Sequence, residues 1–115
     1  MGKLADLAAQ RFGMDTNVGE VEAGPGQDVL AALLSHRTHR RFLEDPVQEE
    51  TLNLLYACAL SAPAKSDLQQ IAIIRIQDVE KRAAIAALMP EMGWIGTCPV
   101  FLLFCGDSRR IRRLC

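Results

Sequence analysis

A chain of 115 residues, half of them hydrophobic and 23% charged, is of single-domain length and can bury a modest core. Its 13 lysines and arginines face 14 aspartates and glutamates, a formal net charge of -1, which argues against a strongly basic nucleic-acid-binding domain. No stretch approaches the roughly 20 apolar residues that span a bilayer, and Met1-Gly2-Lys3-Leu4 lacks the apolar core of a signal peptide, so no membrane partner and a cytoplasmic address are expected. Leu4, Leu7, Ala8 and Phe12 have helical spacing, and Gly13 stops that pattern early. From Asp15 to Gln27, glycines and Pro25 outnumber large apolar groups, so the segment reads as a flexible linker. Residues 1–27 are accordingly taken as an N-terminal helix and linker, and 28–115 as the folded portion.

Asp28 is placed as the N-cap of a helix whose apolar face is Val29, Leu30, Leu33 and Leu34. That helix runs into His36-Arg37-Thr38-His39-Arg40-Arg41-Phe42, where three guanidiniums, two imidazoles and a hydroxyl fall in six positions before Phe42 returns to the core. Glu44 to Glu50, with Pro46 and several acids, marks the start of a helix from about Glu49 to Leu60 with Leu52, Leu55, Tyr56 and Ala59 on one face. Ser61-Ala62-Pro63 ends it, and a loop of small and polar residues follows. Ile71-Ala72-Ile73-Ile74-Arg75-Ile76 is a β-branched run expected in a mostly covered sheet. Asp78 caps a helix to about Met89 that buries Val79, Ala83, Ile85, Leu88 and Ala86, and Pro90 with Gly93 leads into a glycine-rich turn. Val100 to Cys105 is the second buried strand, after which Arg109, Arg110, Arg112 and Arg113 line a last amphipathic segment. The chain stops at Cys115 as that segment begins, which reads as an interruption.

The basic run carries the functional signal. Arginine offers a phosphate paired hydrogen bonds that a lone ammonium cannot. Cations also offset the partial negative charge at a helix C-terminus, but that is only about half an elementary charge, and five basic or potentially basic side chains exceed it. A compact phosphorylated ligand suits the neutral overall charge better than nucleic acid. The arginines at 109–113 read as a solvated helix face, with a nucleic-acid stripe as the alternative. Cys58, Cys98, Cys105 and Cys115 show no metal-ligand spacing and are expected as buried or half-buried free thiols, and no metal is expected.

Three motifs in this order resemble the nitroreductase superfamily of FMN-dependent oxidoreductases, in its NADPH-dependent nitroreductase and flavin-reductase branch. HRTHRRF at 36–42 with EDPVQEE at 44–50 is similar to that family's phosphate motif and acidic second helix. SAPAKSDLQQIAIIRI at 61–76 is similar to its small-residue loop and first strand, and the segment from Trp94 to Cys105 to its second strand. The resemblance covers about residue 30 to the end. It implies an α+β fold with a mixed, largely antiparallel sheet flanked by helices, incomplete in this chain, which corresponds to the N-terminal portion of the family's FMN-binding domain.

By the same resemblance, His36, Arg37, Thr38 and Arg40 hold the FMN phosphate, with His39 and Arg41 facing solvent. Pro63, Ala64, Lys65 and Ser66 lie along the flavin ring, with Gln69 at the Leu-Gln position. Ala64 and Lys65 stand where the family has serines, and Asp67 where it has Asn or Phe. NAD(P)H is implied as electron donor and a nitroaromatic, quinone or free flavin as acceptor. No catalytic side chain is implied, because the cofactor carries the chemistry. Family members run about twice this length and form homodimers, so a dimer and little turnover from this chain alone are expected. A non-enzymatic phosphate-binding, flavin-binding or dimerisation module is the alternative, and a small nucleic-acid binder the third.

Overall fold

The computed structural model describes residues 2–15 and 17–114, and the side chain of Arg110 also lies outside that description. In chain order the elements are α1 (Lys3–Phe12), α2 (Pro25–Ser35), α3 (Glu49–Leu60), a 3-10 turn (Lys65–Asp67), β1 (Ile71–Arg75), α4 (Val79–Leu88), α5 (Trp94–Thr97), β2 (Leu102–Gly106) and α6 (Arg109–Leu114). The chain divides into two units, Met1–His39 and Arg40–Cys115.

In the first unit α1 packs on α2, burying Leu4 and Ala8, one helical turn apart, and Ala31 of α2. Gly13 closes α1 at φ 72, a left-handed cap that suits glycine, and its N–H donates to the carbonyl of Ala9 at 2.8 Å. The other end of α1 has no capping side chain of its own. Glu20 reaches back to supply one, accepting from the N–H of Ala5 at 2.8 Å across Gly2, where a Cβ would run into the carboxylate.

Two expectations for α2 are corrected. The helix begins three residues before Asp28, with Gly24 as N-cap and Pro25 in the first turn, because the fixed φ of proline is already helical. Asp28 instead meets Lys3 at 3.4 Å on the surface. Nor is the stripe of Val29, Leu30 and Leu33 buried; all three are exposed, since it is Ala31 that the pairing with α1 covers.

The second unit is built on α3, the β1–β2 pair and the short helices between them. The acids Glu49 and Glu50 sit in the first turn of α3, favourable for the helix dipole, and Leu52 is buried to 2% exposure. Glu49 also accepts from Arg75 Nη1 at 2.7 Å, tying the end of β1 to the start of α3. At the other end of α3 the Ser61 hydroxyl donates to the carbonyl of Ala57 at 2.6 Å, two residues before Pro63. Of the face read as apolar, Tyr56 and Ala59 are half-buried and Leu55 is exposed.

β1 and β2 pair antiparallel with Ile71 opposite Gly106, Ile73 opposite Phe104 and Arg75 opposite Leu102. Backbone bonds from Ile76 to Phe101 and from Asp107 to Gln70 extend the ladder at both ends. The expectation that both strands are mostly covered is corrected: Ile74, Leu103 and Phe104 are exposed and no strand residue is fully buried. A two-stranded ribbon has two open edges, and apolar faces of this kind are buried only when further layers and strands adjoin them.

Between the strands, the Asp78 carboxylate accepts from the N–H of Lys81 at 3.0 Å, the expected N-cap of α4. Val79 and Leu88 are each 80% exposed and Ala83 is exposed, contrary to the reading of that helix, while Ile85 and Ala86 are half-buried. Arg82 of α4 makes the connection instead. Its Nε donates to the carbonyl of Ile95 at 2.7 Å, and its Nη2 donates to the carbonyl of Cys98 and lies 2.9 Å from the Cys98 sulfur. These bonds close α5, a helical turn in the segment read as a glycine-rich turn. Ile95 and Cys98 are buried, and Trp94 packs against Phe42 and Phe101 with ring centroids 5.6 and 6.3 Å away. Cys105 is half-buried as expected, whereas Cys58 is exposed on α3, and Cys115 lies outside the described residues.

Burial ranks the two stabilising features. Leu52→Ala is expected to lower unfolding free energy by about 2–5 kcal/mol in urea titrations. Asp78→Ala, which removes one exposed cap, is expected to cost about 1 kcal/mol in the same assay.

Candidate functional site

α2 ends at Ser35, and His36 caps it with extended backbone, its N–H donating to the carbonyl of Ala32 at 3.0 Å. The His36 ring turns back as well, with Nδ1 at 2.8 Å from the carbonyl of Leu33. Because a carbonyl only accepts, Nδ1 carries the proton and Nε2 is left for another partner. A guanidinium serves the same helix end from outside the motif: Arg11, in the last turn of α1, donates through Nη1 to the carbonyl of His36 at 2.6 Å and reaches that of Leu34 at 3.4 Å.

The capping explanation of the basic cluster is thereby met by Arg11 and His36. Arg37, Thr38, His39, Arg40 and Arg41 are all exposed, and none makes a hydrogen bond or ion pair among the described residues. Such a run of donors with no internal acceptor repels itself and attracts an anion. His36, Arg37 and Thr38 close the first unit, and Arg40 opens the second. Arg37 shares a cleft of about 380 Å³ with Arg11, Gln10 and Ser35, over a floor of Leu7, Phe12 and Leu34. Its lining holds two guanidiniums and no carboxylate.

The other predicted residues belong to the second unit. Pro63, Ala64, Lys65 and Ser66 form an exposed loop whose turns are closed by the N–H of Asp67 on Ala64 and that of Leu68 on Lys65, at 3.0 and 3.2 Å. Ser66 at φ 53, Asp67 at φ 53 and Gln69 at φ 47 are all left-handed, and none is glycine. Each such residue costs roughly 1–2 kcal/mol, less for Asp, so three in four positions concentrate strain where functional loops commonly carry it. The Gln69 amide donates to the Asp67 carboxylate at 3.3 Å. The left-handed run is absent from the sequence reading, although Ser-Asp is a turn-forming pair. Arg11 is also absent from it; the one available signal is a basic residue in the last turn before a capping glycine.

The C-terminal arginines differ from the first cluster. Arg109 donates to Asp107 through Nε and Nη2 at 3.1 and 2.9 Å, and that hydrogen bond holds the guanidinium above its ordinary pKa. One cation of the stripe is thus committed to a neighbour. Among the described residues no cluster of His, Cys, Asp and Glu could hold a metal ion, and no helix is long and apolar enough to cross a membrane.

The chain is 36% identical over 85 residues to an FMN reductase [NAD(P)H] of Bacillus subtilis, a match covering 74% of this chain and 34% of that protein. Among solved structures, a hypothetical oxidoreductase of Bacillus subtilis superposes with a TM-score of 0.70 at 36% identity, covering 76% of this chain and 35% of that one. The NADPH:FMN oxidoreductase of Vibrio harveyi, solved with NAD+, gives 0.70 at 29% identity, covering 76% and 38%. The matched stretch therefore spans about a third of the length of these relatives. The family model for nitroreductases matches residues 33–109, a span holding the basic motif, the left-handed loop and both strands of an α+β fold, and the chain belongs to the nitroreductase family.

Proposed function

We propose that this chain contributes the phosphate-holding part of an FMN-dependent NAD(P)H oxidoreductase. The observation that carries the reading is the donor set left over at the end of α2: with the helix end already capped, Arg37, Thr38 and Arg40 have no partner among the described residues. That set fits a phosphate dianion, which takes several charge-assisted hydrogen bonds. His36 adds Nε2. Pro63, Ala64, Lys65 and Ser66, with Gln69, would lie along the flavin ring, since a turn with small side chains lets backbone approach a flat ligand closely. When bound, FMN would supply the electron relay from NAD(P)H to a small-molecule acceptor such as a nitroaromatic, a quinone or free flavin. This chain's residues bind and orient, and Lys65 brings a cation to a loop that the resemblance would fill with hydroxyls.

A homodimer in the cytoplasm is the proposed setting. Support comes from the apolar groups this chain leaves uncovered, among them Leu54, Leu55, Ile74, Leu103 and Phe104, together with the open sheet edges. The same surface supports a second reading, a dimerisation or flavin-binding module without turnover of its own.

Flavin fluorescence separates the readings. Titration of FMN with the full chain is expected to saturate, and Arg37→Ala and Arg40→Ala are each expected to weaken binding by about tenfold or more. A folded chain that shows no saturation at millimolar concentrations would retire the phosphate assignment and leave the module.

A further inference from the structure

Arg11 stands outside residues 33–109, the part of the chain that the family model matches, so the family resemblance assigns it nothing. We infer that Arg11 is a positioning residue for the anion motif, a brace from the N-terminal helix that sets the direction of Arg37 and adds positive potential beside it. The inference rests on the flavin-phosphate reading above.

The first step is covalent geometry. The carbonyl of His36 and the N–H of Arg37 belong to one planar peptide unit, so a group that fixes the carbonyl also fixes the amide and the departure of the Arg37 Cα. Arg11 holds that carbonyl at 2.6 Å. The preceding backbone is pinned as well, by the N–H of His36 on Ala32 and the His36 ring on Leu33. Arg37 is thus the first residue beyond the bonded end of α2, and the peptide leading to it is anchored from another helix. Without Arg11, that peptide could rotate and a bound phosphate would have to order it, which weakens binding.

Electrostatics point the same way. Arg11 and Arg37 line one cleft that contains no carboxylate, and the hydrogen bonds of Arg11 go to neutral carbonyls, which leave its charge unbalanced. Two guanidiniums in one cleft repel each other until an anion lies nearby. A phosphomonoester is the ligand class that this combination favours, because its two charges gain from both.

FMN and riboflavin, which differ by the phosphate alone, provide the test. In the full chain, Arg11→Ala is expected to lower FMN affinity about tenfold while leaving riboflavin affinity unchanged, so the preference for FMN collapses. Arg11→Gln, which keeps the stem and one donor, is expected to lose part of that preference and decides the matter should the alanine variant fail to fold. Lys3→Ala, which removes the surface pair with Asp28 from the same two helices, is expected to leave the preference intact. Equal losses for both flavins would reduce Arg11 to a helix cap and overturn the inference, as would wild-type affinities in both Arg11 variants. No FMN binding by the unmutated chain would overturn the flavin reading and this inference with it, whereas normal binding with unaffected variants would sink only this one.

Discussion

Each unit of the chain depends on an arginine that leaves its own helix to close the C-terminus of another. Arg82 bonds the carbonyls of Ile95 and Cys98, and Arg11 those of Leu34 and His36. The last carbonyls of a helix have no intrahelical donor, and a guanidinium meets them with a forked set of N–H groups and a positive charge at the negative end of the dipole. In the second unit this is what gives a four-residue helix a fixed place. α5 is far too short to persist by itself, yet it supplies the buried Ile95 and Cys98 and presents Trp94 to Phe42 and Phe101. In the first unit the same device, together with His36, frees the rest of the basic motif from the job of capping.

Arginine is suited to this in a way lysine is not. Its planar fork can address two acceptors at once while its apolar stem packs, and it stays charged at any relevant pH. Arg82 uses both properties, being half-buried among neutral acceptors rather than paired with a carboxylate. Arg75 and Arg109 show the contrasting use: each is bound to an acid, Glu49 or Asp107, and held above its ordinary pKa by that hydrogen bond. The unpaired arginines of the motif are a third class, and the difference between the three lies in what surrounds each guanidinium.

Those surroundings explain what the sequence discloses. α3 was legible to its end residues, from Glu49 to Leu60, because proline, acids and a serine-proline stop are local signals. The Asp78 cap and both strand cores were legible for the same reason. The start of α2 was misread because two local signals competed, Pro25 and Asp28, and proline prevailed. Burial was overestimated wherever hydrophobicity was read as coverage: Val79, Leu88, Ile74 and Phe104 are apolar, but what covers them is a matter of neighbouring chain. Of the candidate site, the positions of the motif and the loop could be read directly. The clamp from Arg11 could not, since it joins residues 25 apart through a side chain meeting backbone. The left-handed geometry of Ser66, Asp67 and Gln69 was equally hidden, as side-chain identity only weakly constrains φ.

The connection between the two strands has a consequence in time. β1 and β2 are antiparallel neighbours, yet all of α4 and α5 lies between them, so this is no hairpin that can close on itself as it forms. At synthesis rates of about 5–20 residues per second, Ile71–Arg75 leaves the ribosome roughly 1.5 to 6 seconds before its partner strand is complete. Throughout that interval an isoleucine-rich segment has both edges unpaired. The helices that separate the strands form in microseconds and do nothing to cover it. A nascent chain of this design is thus most exposed to misassociation in the middle of its own translation.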